Sequence, residues 1–201
     1  IIVSQPKTWK CFTKGPWIYG SMFQGEVYDA TKEKAILNWS SSSYLDTAWK
    51  NVEEVQLKNT ISLDAKNRMN GMPDVDDYRE LSIISQLGET IRKVNRIRAK
   101  SMEEVRPGVF VYDMGQNLAG VPHIQLHGIT SGTTIKLRYA EVKYPNAKQY
   151  DKHAGMIMLE NIRAAMAQDI YITHGGEETI APRFTYHGYR YIEITGIKKP
   201  L

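Results

Sequence analysis

The segment PGVFVYDMGQNLAGVPHIQLHG, residues 107–128, predicts two β-strands joined by a glycine-rich corner. Pro107 and Gly108 form a turn signal, and residues 109–112 favour a strand. The corner contains residues that tolerate unusual backbone angles, namely Gly115, Asn117 and Gly120. A second strand follows, because Ile124 and Leu126 alternate with polar residues.

Short strand-favouring runs recur on both sides of this segment. We predict strands at 109–113, 121–126, 133–139, 169–173 and 189–195, with turns at 130–132 and 174–176. Residues 9–28 are also strand-like, with breaks at 14–16 and 20–21. Many short strands with little helix are typical of a β-sandwich, so the sequence predicts an all-β fold.

Residues 154–168 are the best local helix candidate, because they are rich in methionine, alanine and leucine. Met158, Ile162, Ala165 and Met166 fall near one face at helical spacing. A methionine stripe of this kind is typical of core packing, since methionine fills irregular gaps well.

Three segments in order carry a family resemblance: YDMGQNLAG at 112–120, GTTIKLRYAE at 132–141 and PRFTYHGYRYIEITG at 182–196. Together they resemble the concanavalin-like β-sandwich of bacterial α-L-rhamnosidases. The resemblance implies a concanavalin-like, jelly-roll β-sandwich preceded by part of another β-domain.

The first segment resembles the closing strands of the sandwich that precedes the concanavalin-like domain in those enzymes. The matching residues are 8–10, 15–16 and GEVYDA at 25–30, and Trp39 and Trp49 fit a tryptophan-bearing connector. Thr31 stands where the family usually has arginine.

The domain division that we expect follows from this resemblance. Residues 1–35 would close the preceding sandwich, 36–90 would form a connector, and 91–197 would form the concanavalin-like domain, with the boundary between Glu80 and Arg92. The connector includes a polar, turn-rich insertion at 67–78.

The resemblance also implies where the chemistry lies. Rhamnosidases carry their catalytic carboxylates in an α/α barrel that follows the sandwich, so no catalytic residue of the family maps onto this sequence. Two functions stay open: an accessory region that supports the barrel removing terminal L-rhamnose, or a lectin-like module for rhamnosylated glycans. A purely structural interaction domain is a third.

Composition excludes several other classes of protein. The 201 residues have a net charge of +4, one cysteine, Cys11, and no apolar run long enough for a transmembrane helix. The densest basic run, residues 92–100, predicts an edge strand whose lysines and arginines discourage aggregation. Because no nucleic-acid-binding motif accompanies this run, we expect no nucleic-acid partner. Because the sequence has no long apolar run, we expect no membrane partner either.

A catalytic pair is the sharpest chemical alternative. Asp113 and Glu141 lie at predicted strand ends, and glycosidases use two carboxylates about 5–10 Å apart. A carboxylate at a strand end commonly accepts backbone N–H groups, so we favour a structural role. The same reasoning makes the corner residues structural: Asp113, Gly115, Gln116, Asn117 and Gly120.

The sequence predicts no metal site and no cofactor. The five histidines are scattered, and His123 and His127 would lie more than about 10 Å apart on one strand. The acidic residues Asp74, Asp76 and Asp77 lack the full set of spaced ligands that calcium needs.

Aromatic and acidic residues of the first segment are the candidate sugar ligands. Trp17, Glu26 and Asp29 would place an aromatic face beside carboxylates, a common way to hold a sugar ring. Core packing is the alternative for the aromatic residues. We further expect the incomplete sheet edges to favour a dimer. The resemblance to bacterial rhamnosidases implies that the parent protein is periplasmic or secreted.

Overall fold

The computed structural model describes residues 5–54 and 84–201. They form two compact units, one from the described residues 5–13, 45–54 and 84–92 and the other from 14–44 and 93–201. The described strands are β1 Lys10–Cys11, β2 Trp17–Ser21, β3 Gly25–Asp29, β4 Lys50–Asn51, β5 Ser101–Arg106, β6 Val109–Gly120, β7 Ile124–Ile129, β8 Thr134–Ala140, β9 Gln168–Ile172, β10 Gly176–Ile180 and β11 His187–Thr195. Short 3-10 helices span Ala30–Ile36, Lys148–His153 and Glu160–Ile162.

The first unit contains a small antiparallel ladder. Strand β1 pairs with β4, and Phe12 stacks on Trp49 with ring centroids 5.7 Å apart. Lys10 donates to Asp46 across the same region at 2.8 Å. These contacts hold residues 10–12 against residues 46–51.

The second unit is built on a seven-stranded sheet in the order β2-β3-β9-β8-β11-β6-β5. Its strand pairs are antiparallel except β3 with β9, which run parallel. Strands β7 and β10 form a second, two-stranded sheet. The all-β fold with little helix that the sequence predicts is therefore confirmed.

The main core lies between these two sheets. On β8, Ile135, Leu137 and Tyr139 are fully buried, while the intervening residues face the other side. Leu126 of β7 and Ile180 of β10 belong to the same buried cluster. Alternation along β8 thus follows from the two-residue period of a strand with one face in the core.

The opposite face of the large sheet carries a smaller apolar cluster. Val111 and Ala140 pack there with Ile157, which lies in the long excursion between β8 and β9. Ile157 reaches the sheet region through an antiparallel bridge with Lys143. The excursion therefore covers part of this face.

The helix predicted at 154–168 is wrong. Within that range the structure has only the 3-10 turn Glu160–Ile162, and positive φ angles occur at Gly155, Arg163 and Ala167. A left-handed backbone at these positions interrupts a right-handed helix. Composition alone favoured the helix, but the excursion follows the sheet surface instead.

The basic run at 92–100 is not a strand, which corrects the predicted edge strand. Its residues are exposed, and strand β5 begins only at Ser101. The edges of the large sheet are β2 and β5. Strands β5 and β10 were not predicted, since neither has a strong apolar alternation.

Some predictions lie outside the described residues, namely the insertion at 67–78, with Asp74, Asp76 and Asp77, and part of the domain boundary between Glu80 and Arg92. The division at residues 35 and 90 stays a prediction. The pairing of β3 with β9 does place two strands of the first segment in the same sheet as strands of the predicted concanavalin-like domain.

Candidate functional site

Asp169 at the start of β9 joins four strands through one buried carboxylate. Its Oδ1 accepts from the backbone N–H of Glu26 at 2.7 Å and from Nε2 of His187 at 3.2 Å, and its Oδ2 accepts from the Tyr139 hydroxyl at 2.5 Å. The rings of Tyr139 and His187 stack with centroids 4.0 Å apart. Burial, together with the Asp169 charge, raises the pKa of Tyr139 well above its usual value, so the tyrosine stays a donor.

Close approach of the backbone at this point requires a glycine. A side chain at Gly25, where φ is +104°, would place its Cβ 1.9 Å from the carbonyl oxygen of Gln168. The lack of a side chain lets β3 lie against β9 with the Glu26 N–H aimed at Asp169.

Glu26 is the second buried carboxylate, 5% exposed. Its Oε2 accepts from the backbone N–H groups of Arg183 and Phe184 at 3.2 and 3.1 Å. These bonds hold the connection between β10 and β11 against β3. Within the part of the chain that the structure describes, no donor bonds to Oε1.

Glu178 of β10 closes the turn between β9 and β10. It accepts from the backbone N–H groups of His174 and Gly175 at 3.0 and 2.7 Å, and from the Tyr171 hydroxyl at 3.1 Å. Burial and the neighbouring Glu178 carboxylate raise the pKa of Tyr171. This carboxylate therefore holds a turn and the end of a strand together.

Glu193 of β11 lies on the opposite face of the large sheet, where Arg138 of β8 donates to its Oε1. The residue is 1% exposed, and its Oε2 is the fully buried side-chain oxygen without a partner among the described residues. In the sheet, Glu193 lies between Arg138 of β8 and Val111 of β6.

The glycine-rich corner is part of one long strand with a bulge. Residues 114–117 of β6 lie opposite the single residue Arg190 of β11. Arg190 donates to both oxygens of Asp113 at 2.8 and 2.9 Å, and Gly115, with a φ of +80°, donates its N–H to Asp113 at 2.6 Å. The Arg190 guanidinium lowers the pKa of Asp113 to about 2, so Asp113 is a poor proton donor.

The amide side chains of Gln116 and Asn117 do not stabilise the glycine-rich corner in the way that the sequence predicts. Gln116 and Asn117 are exposed, Asn117 does not have a positive φ, and neither side chain bonds to the backbone of residues 5–54 or 84–201. Gly120 pairs with His187 at the end of the strand. The bulge is held by Asp113, Gly115 and Arg190 rather than by the amides.

Two neighbouring cavities open beside this network, and both are lined in part by Glu33, Tyr171 and Thr179. The smaller one, of about 200 Å³, is also lined by Trp17, Glu26, Tyr28 and Arg183. The larger one, of about 330 Å³, is also lined by Gln125, His127, His174, Glu177 and Glu178.

Part of the wall of the smaller cavity is aromatic, because Trp17, Tyr28 and Tyr171 line it. Tyr28 stacks on Tyr171 with centroids 5.4 Å apart, and Trp17 packs edge-on against Tyr28 and Phe184 at 5.1 and 5.4 Å. The guanidinium of Arg183 lies 5.7 Å from the Trp17 ring centroid. Aromatic faces beside polar groups can pack against the apolar side of a small ligand.

The structure thus brings together two of the three predicted sugar ligands. Trp17 and Glu26 line the smaller cavity. Asp29 does not line either cavity described above; it caps the 3-10 helix Ala30–Ile36 by accepting from the Thr31 N–H and hydroxyl at 3.1 and 2.6 Å. Arg183 and Asp169 were not predicted. Asp169 is a polar residue at an inward position of β9, which could have indicated it, whereas Arg183 is an exposed residue in the connection between β10 and β11.

Neither a metal site nor a membrane span is seen in residues 5–54 and 84–201. There, no three histidine, cysteine or carboxylate side chains are placed to share a metal ion. None of the helices described is long and apolar enough to cross a bilayer. Glu141 is exposed, and Asp113 is committed to Arg190.

Comparison with known families assigns both halves of the chain. The bacterial alpha-L-rhamnosidase concanavalin-like domain matches residues 103–201, and the alpha-L-rhamnosidase N-terminal domain matches residues 1–70. The chain belongs to the bacterial α-L-rhamnosidase family. Its concanavalin-like β-sandwich, predicted from three sequence segments, is thereby confirmed.

Relatives in this family are much longer. An alpha-L-rhamnosidase of Streptomyces avermitilis is 37% identical over 183 residues, which are 90% of this chain and 15% of that protein. One from Formosa agariphila is 30% identical over 94% of this chain and 17% of its own length. The chain therefore spans less than a fifth of these rhamnosidases.

Solved rhamnosidase structures are similar to this chain. The Streptomyces avermitilis enzyme complexed with L-rhamnose superposes with a TM-score of 0.72 at 36% identity, over 92% of this chain and 15% of that one. The alpha-L-rhamnosidase from Dictyoglumus thermophilum gives a TM-score of 0.78 at 32% identity, over all of this chain and 19% of that one. The rhamnosidase match lies in the N-terminal and concanavalin-like domains.

Proposed function

We propose that this rhamnosidase region is a non-catalytic accessory β-sandwich, which supports a catalytic α/α barrel that removes terminal L-rhamnose from glycans. The observation that carries this proposal is the commitment of its buried carboxylates. Asp169, Glu26, Glu178 and Glu193 each accept hydrogen bonds that hold strands or turns together. A glycosidase acid has to be free to protonate the leaving oxygen, and its partner has to activate water or attack the sugar.

Hydrolysis by the 201-residue chain alone is the first test. We expect no release of nitrophenol from p-nitrophenyl α-L-rhamnoside above the buffer rate. Turnover that is lost on substitution of Asp113 or Glu141 would contradict the proposal, since these two carboxylates would then act in catalysis.

Support of a barrel is tested by a chimera. This chain replaces the corresponding region of the Streptomyces avermitilis relative, and a second version lacks the region altogether. We expect the chimera to retain hydrolysis and the deletion to lose it or to unfold at lower temperature. Equal activity and melting temperature of the deletion and the intact enzyme would contradict a supporting role.

Carbohydrate binding is the second function that a specific observation favours. The smaller cavity combines the Trp17 and Tyr28 rings with the Glu26 carboxylate and the Arg183 side chain. This composition suits a sugar ring from a rhamnosylated glycan. Saturable binding of L-rhamnose would give the region a site of its own beside its supporting role.

Self-association through a sheet edge is a further proposal about partners. Strand β2 is an edge of the large sheet and carries the half-exposed side chains of Ile18 and Tyr19. Open edges of this kind pair readily with another strand. Sedimentation that shows a monomer at every concentration would exclude a dimer.

A further inference from the structure

We propose that the smaller cavity binds one neutral, polyhydroxylated ring through the Glu26 carboxylate and the Arg183 guanidinium. The proposal specifies the second function above, carbohydrate binding, and does not depend on the supporting role. It names the two polar groups that recognise the ligand and the ligand class that they select.

The acceptor of this site is Oε1 of Glu26. The other carboxylate oxygen is occupied by the N–H groups of Arg183 and Phe184, whereas no donor in the described residues reaches Oε1. Oε1 is not among the fully enclosed atoms without a partner, and Glu26 lines the cavity. With Glu26 only 5% exposed, this is a nearly buried carboxylate with an unused acceptor. A ligand hydroxyl would supply the missing hydrogen bond.

The donor is the guanidinium of Arg183. Its side chain makes no ion pair with the described carboxylates and lies over the Trp17 ring instead. Because the backbone N–H of Arg183 also donates to Oε2 of Glu26, this hydrogen bond holds the residues that carry the donor and the acceptor next to each other. A ring with adjacent hydroxyls can donate to one group and accept from the other.

Size and charge of the cavity restrict the ligand. A volume of about 200 Å³ is below the roughly 300–1,000 Å³ of sites for drug-sized molecules, which favours a single ring. Glu26 and Glu33 both line the cavity, so a carboxylated ring would meet like charges. The aromatic wall at Trp17, 37% exposed, offers a surface for the apolar side of the ring.

The test is calorimetric titration of the 201-residue chain with L-rhamnose, methyl α-L-rhamnoside and D-glucuronate. We expect saturable binding of the two neutral sugars and at least tenfold weaker binding of the acid. Equal affinity for L-rhamnose and its methyl glycoside would indicate that the end of a glycan fits as well as the free sugar. A preference for free rhamnose would restrict the ligand to the monosaccharide and still support the site.

Two variants address the named groups. Arg183→Met keeps an apolar stem over Trp17 and removes the donor. Glu26→Gln can keep its bonds to the backbone with the amide oxygen and turn an NH₂ group toward the cavity, which removes the acceptor. Each is expected to weaken rhamnose binding at least tenfold, whereas the control Arg98→Met, at an exposed position outside the cavity, should bind like the unaltered chain.

Circular dichroism and urea unfolding establish that each variant is folded before it is titrated. The absence of saturable binding by the folded, unaltered chain would overturn the site. Unchanged affinity in both cavity variants, or equally tight binding of D-glucuronate, would overturn it too. None of these results bears on the supporting role, which the chimera tests separately.

Discussion

Replacement of Asp169 is the most informative test of how this sandwich is held together. The carboxylate is 2% exposed and accepts from the Glu26 N–H, the His187 ring and the Tyr139 hydroxyl. Asp169→Ala would leave these donors buried without an acceptor. A buried donor left unsatisfied costs about 1–3 kcal/mol. Because some donors can turn toward each other or toward water, we expect a loss of about 3–6 kcal/mol in the free energy of unfolding.

Asp169→Asn should lower the free energy of unfolding less than Asp169→Ala does, because the amide can keep most of these hydrogen bonds. The amide oxygen can keep the bonds made by Oδ1, and the amide nitrogen can donate to the Tyr139 hydroxyl, which rotates to accept. The negative charge is lost, so a decrease of about 1–3 kcal/mol is expected. In a double-mutant cycle with Tyr139→Phe, the two changes should be non-additive, since they share one hydrogen bond.

Urea unfolding followed by tryptophan fluorescence measures these differences. Asp151→Ala, at an exposed carboxylate, is the matched control and should stay within about 0.5 kcal/mol of the unaltered chain. A loss below about 1 kcal/mol in the free energy of unfolding for Asp169→Ala would refute the reasoning, because removal of a buried acceptor with three donors should cost more than that. Full additivity with Tyr139→Phe would show that the two side chains are not coupled.

Three further changes test other parts of the unit. Gly25→Ala should prevent or greatly weaken folding, since its Cβ would meet a carbonyl oxygen at 1.9 Å; the yield of soluble protein and its circular dichroism report this. Leu137→Ala, at a fully buried position, should cost about 2–5 kcal/mol in urea unfolding, whereas Leu37→Ala, 67% exposed, should be nearly neutral. Asp113→Asn should destabilise the chain at neutral pH but no longer do so in acid: the pKa of Asp113 is lowered from 3.8 to about 2, so its stabilisation is present above about pH 4 and disappears as the pH falls toward 2. A destabilisation by Asp113→Asn that stayed constant from pH 7 to pH 2 would contradict this origin.

Alternation made the strands predictable where one face is buried. The prediction of a strand at 133–139 nearly coincides with Thr134–Ala140, because Ile135, Leu137 and Tyr139 all point into the core. The same signal is weak in β5, where most residues are exposed. The alternation of apolar and polar residues therefore predicts a strand when one of its faces is buried, and it does not predict a strand that is mostly exposed.

In the excursion before β9, local composition predicts a helix that the structure does not contain. Helix-favouring residues fill 154–168, yet the backbone is left-handed at Arg163 and Ala167. Ile157 and Leu159 instead pack on the outer face of the large sheet, in the cluster with Val111. Tertiary packing decides such a segment, and intrinsic propensity is only a weak guide to it.

The polar network could not be predicted, because its members are distant in sequence. Asp169 and Glu26 are separated by 143 positions, and Arg183 lies 157 positions from Glu26. Trp17 and Glu26 could be named as candidates from residue type alone. What they contact depends on the parallel pairing of β3 with β9, which no local pattern indicates.

Unused acceptors, rather than the number of carboxylates, indicate what this region can bind. A carboxylate oxygen that already accepts main-chain N–H groups is occupied by them, whereas an oxygen without a partner can still accept from a ligand. Within the described part of the chain, two of the buried acids have an oxygen without a partner, namely Glu193 and Glu26. The oxygen of Glu193 is enclosed beside Arg138, whereas Glu26 lines an open cavity. Among these buried acids, Glu26 is therefore the one that a ligand from solvent can reach, which is why its substitution by glutamine separates a binding site from a purely structural carboxylate.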